Sequence, residues 1–209
     1  MTQQKIESDL DILCKEAKKL GAVDAAACKA SNIVVDLRAN LKCQVPICPY
    51  YGNNLMCPPY VMKASEFQEV LSKYTYAVLI QVEIPIPEEV IQAAYQENSI
   101  GDFFKNRLAS FSSIWDKINK FDELIGKVEA AAFNMGYRFA AGLSGGSCKL
   151  CDECVAKQPG ETCRHPFKAR PAMEAMGIDV LKTAEKAGFT TANALAAKKI
   201  VAYGLVLVD

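Results

Sequence analysis

The chain has 209 residues, of which 51% are apolar, and its 24 basic and 24 acidic side chains cancel. This composition excludes disordered and collagen-like proteins and supplies enough apolar side chains for a substantial core. Because no net charge would attract nucleic acid or an anionic membrane surface, we expect neither as a partner.

The N-terminal segment MTQQKIESDLDIL is polar and then amphipathic, and it lacks the continuous apolar region of a signal peptide. Later apolar stretches are interrupted by Gln81, Glu83 and prolines before they reach the length that spans a bilayer. We therefore expect a cytoplasmic protein. In that reducing compartment, nine cysteines indicate metal ligation rather than disulfide bonds.

The first two predicted elements are a helix and a strand. Residues 5–20 carry apolar side chains at helical spacing, Cys14 among them, and Gly21 ends the pattern. Residues 25–43 are small and β-branched, which predicts a strand or hairpin. We expect Cys14 and Cys28 to be packing residues of these elements.

The first cysteine loop comprises residues 43–60, where Cys43, Cys48 and Cys57 stand among four prolines and a glycine. Prolines at this density prevent helix and strand formation. Interactions other than backbone hydrogen bonds must therefore fix the conformation of this loop. A metal centre would hold it. The alternative is a proline-rich loop whose three cysteines are incidental.

The next elements are helices and strands again. After Ser65 as N-cap, residues 66–74 have a helical pattern, and the apolar run at 76–84 suits a buried strand. Residues 88–97 follow Pro87 as a helix.

From Phe104 to Met135 apolar residues recur three and four apart, which predicts one long amphipathic helix or two joined near residues 110–113. Its apolar stripe would be either core or the contact of a homodimer. Residues 137–143 then read as a strand.

The second cysteine loop comprises residues 142–166 and contains Cys148, Cys151, Cys154 and Cys163. Three thiols spaced two residues apart, closed by a fourth beyond a loop, suit a [4Fe–4S] cluster. Zinc is the alternative, although four-thiolate zinc sites usually consist of two well-separated CxxC pairs.

The chain ends with a predicted helix at 171–188, with Pro171 in its first turn, and a strand at 199–208. Two stretches, about 1–87 and 114–209, share the order helix, strand, cysteine loop, helix, strand, and a helical segment joins them. We therefore predict a single α/β domain over residues 1–209. Its mixed or mainly parallel sheet would be flanked by helices, with an internal pseudo-repeat and one long helix in the middle.

The two cysteine loops differ in the number of ligands. Four cysteines saturate a cluster, which then carries electrons, whereas three leave one iron open to a small molecule unless Cys14, Cys28 or another group fills the fourth place. Alternatively, the first loop binds zinc through three thiolates and a water molecule. His165 is the only histidine in the chain, and it follows Arg164 directly behind Cys163. These two residues are candidates for proton donation to a substrate and for binding its charge.

The chain resembles a family of predicted metal-binding proteins of unknown function from anaerobic bacteria and archaea. The resemblance covers nearly the whole chain and implies iron–sulfur or other metal binding. It is carried by the following residues: Cys43, Cys48, Tyr51-Gly52, Cys57-Pro58-Pro59, Gly145-Gly146, Cys148, Cys151, Cys154, Cys163-Arg164-His165-Pro166 and the segment 170–180.

We accordingly expect an iron–sulfur protein with two [4Fe–4S] clusters, one a four-cysteine relay and one with an open iron that binds or reduces a small molecule. It would be an oxidoreductase or another cluster-dependent enzyme. The alternatives are a pure electron-transfer protein that docks to a redox partner, and a zinc-stapled structural or interaction module. The expected partners are a redox protein or a small-molecule substrate.

Overall fold

A computed structural model describes residues 2–86, 88, 92, 112–158, 160–190 and 199–209. Its helices and strands, in chain order, are α1 (Gln3–Lys19), β1 (Asp24–Lys29), α2 (Leu37–Leu41), α3 (Ala64–Leu71), β2 (Tyr76–Pro85), α4 (Ser112–Asn134), β3 (Ala141–Leu143), α5 (Val180–Lys186) and β4 (Lys199–Val208). Short 3₁₀ turns occupy Ala30–Asn32, Val155–Lys157 and Glu174–Met176. The architecture is mixed α/β.

The four described strands form one sheet in the order β1-β2-β4-β3, and every pair in it is antiparallel. The longest pairing joins β2 to β4, from Tyr76 opposite Val208 to Pro85 opposite Lys199. The prediction of a mixed or mainly parallel sheet is therefore wrong.

The direction of β2 explains this error. Lys29 at the end of β1 pairs with Tyr76 at the start of β2, and the Ala30 amide donates to the Thr75 carbonyl at 2.9 Å. The chain between them therefore leaves and re-enters the sheet at the same end. Alternation of helices and strands predicts a parallel sheet only when each helix carries the chain back to the opposite end.

The helices α1 and α4 cover one face of the sheet. Their apolar positions recur three and four residues apart, as in Leu10, Leu13 and Ala17, so one side of each helix is buried. Val78 and Ile80 of β2 point into this layer. Consequently, Cys14 packs half-buried at its edge and is part of the core, as expected.

The opposite face carries α3, α5 and the turn at Glu174–Met176. Ala77 and Leu79 alternate with their neighbours in β2 and point into this second layer, which makes β2 buried on both faces. Cys28 packs against the same layer. Both cysteine loops connect elements that belong to it.

The predicted boundaries are confirmed for some elements and wrong for others. The helix at 5–20 and the strands at 76–84 and 199–208 are confirmed. The strand predicted at 137–143 is limited to Ala141–Leu143, and α2 was missed within the stretch expected to be extended.

The helix predicted over 171–188 is confirmed only for Val180–Lys186, because the chain breaks at Gly177. Gly177 adopts a left-handed conformation with φ of +81°, which ends the preceding turn, and α5 begins anew behind Asp179. The Asp179 carboxylate accepts the Lys182 amide at 3.1 Å and so caps the new helix.

The long helix in the middle of the chain is observed as α4. Phe121, Ile125 and Val128 on its apolar stripe are buried against the sheet, so the stripe contributes to the core of its own chain. The helix predicted at 88–97 and the segment 104–111 lie outside the described residues, apart from residues 88 and 92. A homodimer through this helix stays a prediction.

Within the described residues, no helix is both long enough and apolar enough to cross a membrane.

We expect Tyr137→Phe to destabilise the protein in a pH-dependent way. The buried Tyr137 hydroxyl donates to Asp9 at 2.9 Å, and Lys5 also binds this carboxylate. Lys5 holds the pKa of Asp9 below its ordinary value of 3.8, and the tyrosine hydroxyl adds to this effect. Loss of the hydroxyl should lower the free energy of unfolding by about 1–2 kcal/mol near neutral pH.

Folding lowers the pKa of Asp9, so its carboxylate adds to the free energy of unfolding above about pH 4. This contribution is lost as the pH falls through the pKa of the folded state. Urea denaturation of metal-free protein at neutral and acidic pH measures the difference. Tyr76→Phe, which removes an exposed hydroxyl contact with Gln3, is the control. An equal loss at both pH values would contradict the prediction.

Candidate metal centre

The second cysteine loop is closed at its base by backbone hydrogen bonds. Ser144 directly follows β3, and its amide donates to the Pro171 carbonyl at 2.9 Å. The Met173 amide donates back to the Ser144 carbonyl at 2.8 Å. The two ends of the loop are therefore held together on the edge of the sheet, independently of any metal.

Two buried polar contacts attach this base to α4. The Ser144 hydroxyl donates to Asp122, and the Arg170 guanidinium donates to Glu129. Gly145 next to Ser144 lies so close to β4 that a Cβ atom there would be 2.7 Å from the Tyr203 carbonyl oxygen. A glycine is needed at this position because any side chain would push the start of the loop off the sheet.

The four cysteines of the second loop line one cavity of about 210 Å³. Residues 53–56 of the first cysteine loop form part of its wall. The spacing of Cys148, Cys151, Cys154 and Cys163 in the sequence thus corresponds to a shared space in the fold.

Two backbone amides donate to thiol sulfurs at this cavity. The Leu55 amide lies 3.4 Å from Cys154 Sγ, and the His165 amide lies 3.4 Å from Cys163 Sγ. Amide donors of this kind stabilise the negative charge of thiolates that bind metal.

The two cysteine loops contact each other directly. The Asn54 side chain donates to the Cys148 carbonyl at 2.8 Å, and the Tyr60 hydroxyl donates to the Ala156 carbonyl at 3.1 Å. The Lys149 ammonium lies 3.5 Å from the centre of the Tyr50 ring. The loops therefore form one surface rather than two separate ones.

The three cysteines of the first loop do not line this cavity. Burial raises the pKa of Cys57 to about 12, and the nearby thiols of Cys48, Cys43 and Cys148 contribute further. Burial also raises the pKa of Cys43, with the charges of Cys48 and Glu174 acting in the same direction. These buried thiols are protonated at neutral pH without a metal, so metal binding must release their protons.

Burial raises the pKa of Cys148 to about 11, so this thiol also loses its proton when metal binds. Cys14 and Cys28 lie on α1 and β1, away from both loops, so the structure does not bring them to the metal centre.

His165 and Arg164 lie at the mouth of the second loop. Both line its cavity and an adjoining, more open cavity of about 460 Å³ that also borders Cys151 and Gln158. The Arg164 side chain is held there by donation to the Glu153 carbonyl at 3.1 Å. Any role of these two residues is thus directed at a molecule beside the four-cysteine loop.

In the described part of the chain, no three His, Cys, Asp or Glu side chains are grouped closely enough to hold a single metal ion. The donor set nevertheless fits a thiolate-bound group, because four thiols share one cavity and two of them already accept amide hydrogen bonds.

Sequence patterns did not indicate the polar residues that hold the loops. Two of these contacts, Ser144 with Asp122 and Arg170 with Glu129, join segments that are distant in the sequence. Residues 53 and 54 are both asparagine, so the sequence does not distinguish the one that bridges the loops. The single available signal was the polar Asp122 on the otherwise apolar stripe of α4.

Comparison with known proteins identifies one family model, described as "Predicted metal-binding protein (DUF2284)", which matches residues 26–208. No curated protein and no solved structure matches the chain significantly.

We expect Asp122→Asn to flatten the pH dependence of stability. Burial raises the pKa of Asp122 to about 6, although the Ser144 hydroxyl and Arg170 oppose the shift. A raised pKa means that the folded protein binds this proton more tightly than the unfolded chain. The resulting stability is therefore full below the ordinary value of 3.8 and is lost as the pH rises through about 6.

Asp122→Asn removes this titration. Between pH 4 and pH 7, the unfolding free energy of the metal-free wild type should therefore fall by about 2 kcal/mol more than that of the variant. Urea denaturation at the two pH values measures both changes. Asp11→Asn, at an exposed carboxylate of α1, is the control. If wild type and Asp122→Asn follow parallel curves, the buried carboxylate does not titrate as stated.

Proposed function

The chain belongs to this family of predicted metal-binding proteins, and we propose that its second cysteine loop holds a [4Fe–4S] cluster. The ligands would be Cys148, Cys151, Cys154 and Cys163. The observation that carries this proposal is the single cavity lined by all four thiols. A cluster bound there would supply one-electron transfer.

The surrounding residues would serve this role in two ways. The Leu55 and His165 amides would stabilise the charge of the thiolates to which they donate. Residues 53–56 of the first loop would limit the access of water, because they wall the cavity. Both effects tune the potential at which a bound centre accepts an electron.

We further propose that Cys43, Cys48 and Cys57 bind a second [4Fe–4S] cluster with one open position. Support comes from the proximity of the Cys43 and Cys48 thiols to Cys57, whose pKa they help to raise, and from the contact between the loops. An open position accepts a small molecule, whereas four protein ligands leave none.

Arg164 and His165 would serve a small molecule at the mouth of the second loop. Arg164 would hold an anionic group, and His165 would exchange a proton with it. The cavity of about 460 Å³ that both residues line supports this placement. In this form the protein is a cytoplasmic oxidoreductase.

A pure electron-transfer role is the second candidate, and one observation favours it. Phe167 is 90% exposed and lies two residues beyond His165. A large apolar side chain beside a redox centre suits the docking of a partner protein.

The single domain with an internal pseudo-repeat also remains a proposal. It is supported by the strand order β1-β2-β4-β3, in which β1 flanks β2 as β3 flanks β4. The first cysteine loop lies in the connection from β1 to β2, and the second lies in the connection from β3 to β4.

Anaerobic purification followed by iron, sulfide and zinc analysis tests the proposal. We expect a brown protein with iron and sulfide in equal amounts, at eight of each per chain for two cubanes, roughly. A colourless protein with stoichiometric zinc and no sulfide would refute the clusters and leave the zinc-stapled module.

Substitutions should identify the ligands. We expect Cys163→Ser to remove about half of the iron, because the second loop then lacks one of its four thiolates. Cys14→Ala, at a thiol on α1, is the matched control and should leave the iron content and the visible spectrum unchanged. Iron loss in the control of the same size would show that the thiol of Cys14 is a ligand.

A further inference from the structure

The contact between the two cysteine loops depends on one buried side chain. Asn54 is 5% exposed, and its amide group donates to the Cys148 carbonyl at 2.8 Å. Its side-chain oxygen accepts the Met56 amide at 3.0 Å. Both polar atoms of the side chain are thus used, one within the first loop and one across to the second.

The backbone of the same residue contacts a cysteine of its own loop. The Asn54 carbonyl accepts the Cys57 amide at 3.0 Å. Asn54 therefore touches the backbone of one candidate ligand in each loop, Cys57 and Cys148.

Leu55 lies between Asn54 and Met56, whose amide donates to the Asn54 side chain. The Leu55 amide is the donor to Cys154 Sγ at 3.4 Å, so a donor from the first loop acts on a sulfur of the second. Asn54 positions this donor, because its side chain binds Met56 on the far side of Leu55 and Cys148 on the second loop.

We propose that Asn54 is a positioning residue that couples the two metal sites, so that metal in the first loop tightens metal binding in the second. The inference rests on the proposed function. Metal at Cys57 fixes residues 54–57, and the second loop then binds metal without the entropic cost of ordering the Leu55 amide. Such a coupling is positive and reciprocal.

Iron, as equal parts of ferrous and ferric salt, is titrated anaerobically with sulfide into reduced, metal-free protein, and occupancy of the second loop is followed by the alkylation of Cys163. The tryptic peptide 158–164 contains Cys163 as its only cysteine, so mass spectrometry reports this site alone. The midpoint of protection is compared in wild type, Cys48→Ser, Asn54→Ala and the double variant.

We expect Cys48→Ser to raise the iron concentration at the midpoint of Cys163 protection by about 5- to 10-fold in the wild-type background. In the Asn54→Ala background the same substitution should have an effect of less than about 2-fold, because the coupling has been removed. If the role of Asn54 were merely structural, Cys48→Ser would shift the midpoint by the same factor in the wild-type and Asn54→Ala backgrounds.

Asn32→Ala is the control, because Asn32 lies outside both cysteine loops and donates to the Lys186 carbonyl at 3.2 Å. It should leave the effect of Cys48→Ser intact. If Asn54→Ala fails to fold, Asn54→Asp replaces it, since aspartate still accepts the Met56 amide but no longer donates to Cys148. It should reduce the coupling as well.

The outcomes separate the two proposals. If iron and sulfide never protect Cys163 in the wild type, both the proposed function and the coupling fail. If protection occurs but Cys48→Ser leaves the midpoint unchanged, the coupling fails and metal binding stands. If Cys48→Ser has the same effect with and without Asn54, the assigned role of Asn54 is wrong.

Discussion

The antiparallel pairing of β2 with β4 is the constraint on which the rest of the structure depends. Both strands have ten residues, pair over their whole length and supply apolar side chains to both layers. Such a strand pair is stable only if both faces are covered. The helices α1 and α4 cover one face, and the elements that carry the cysteine loops cover the other, so the candidate metal centre lies on that second face of the sheet.

The position of the second loop follows from this pairing. β3 has only three residues, yet its register on Leu205–Leu207 places Ser144 and Gly145 directly beside β4. The buried contacts with Asp122 and Glu129 then fix both ends of the loop to α4. Buried polar groups need partners, and here the loop supplies both donors and α4 supplies both acceptors, so the contacts specify one arrangement of loop and helix.

The contact between the cysteine loops determines the surroundings of the thiols in the second loop. The first loop, rich in proline, packs its residues 53–56 against the cavity of the second and donates an amide to one of its sulfurs. A thiolate-bound group responds to the hydrogen bonds around its sulfurs. The two loops therefore form one chemical environment, although Leu55 and Cys154, which are in contact, lie 99 positions apart in the sequence.

The sequence by itself determined the strongly periodic elements and the candidate ligands. The helix at α1, the strands β2 and β4 and the spacing of Cys148, Cys151 and Cys154 are local patterns that neighbouring residues specify. Strand direction, the break at Gly177 and the meeting of Asn54 with Cys148 depend on residues far apart in the chain. Only the tertiary structure decided them, because pairing, close packing and buried hydrogen bonds are made between segments whose distance in space no local pattern encodes.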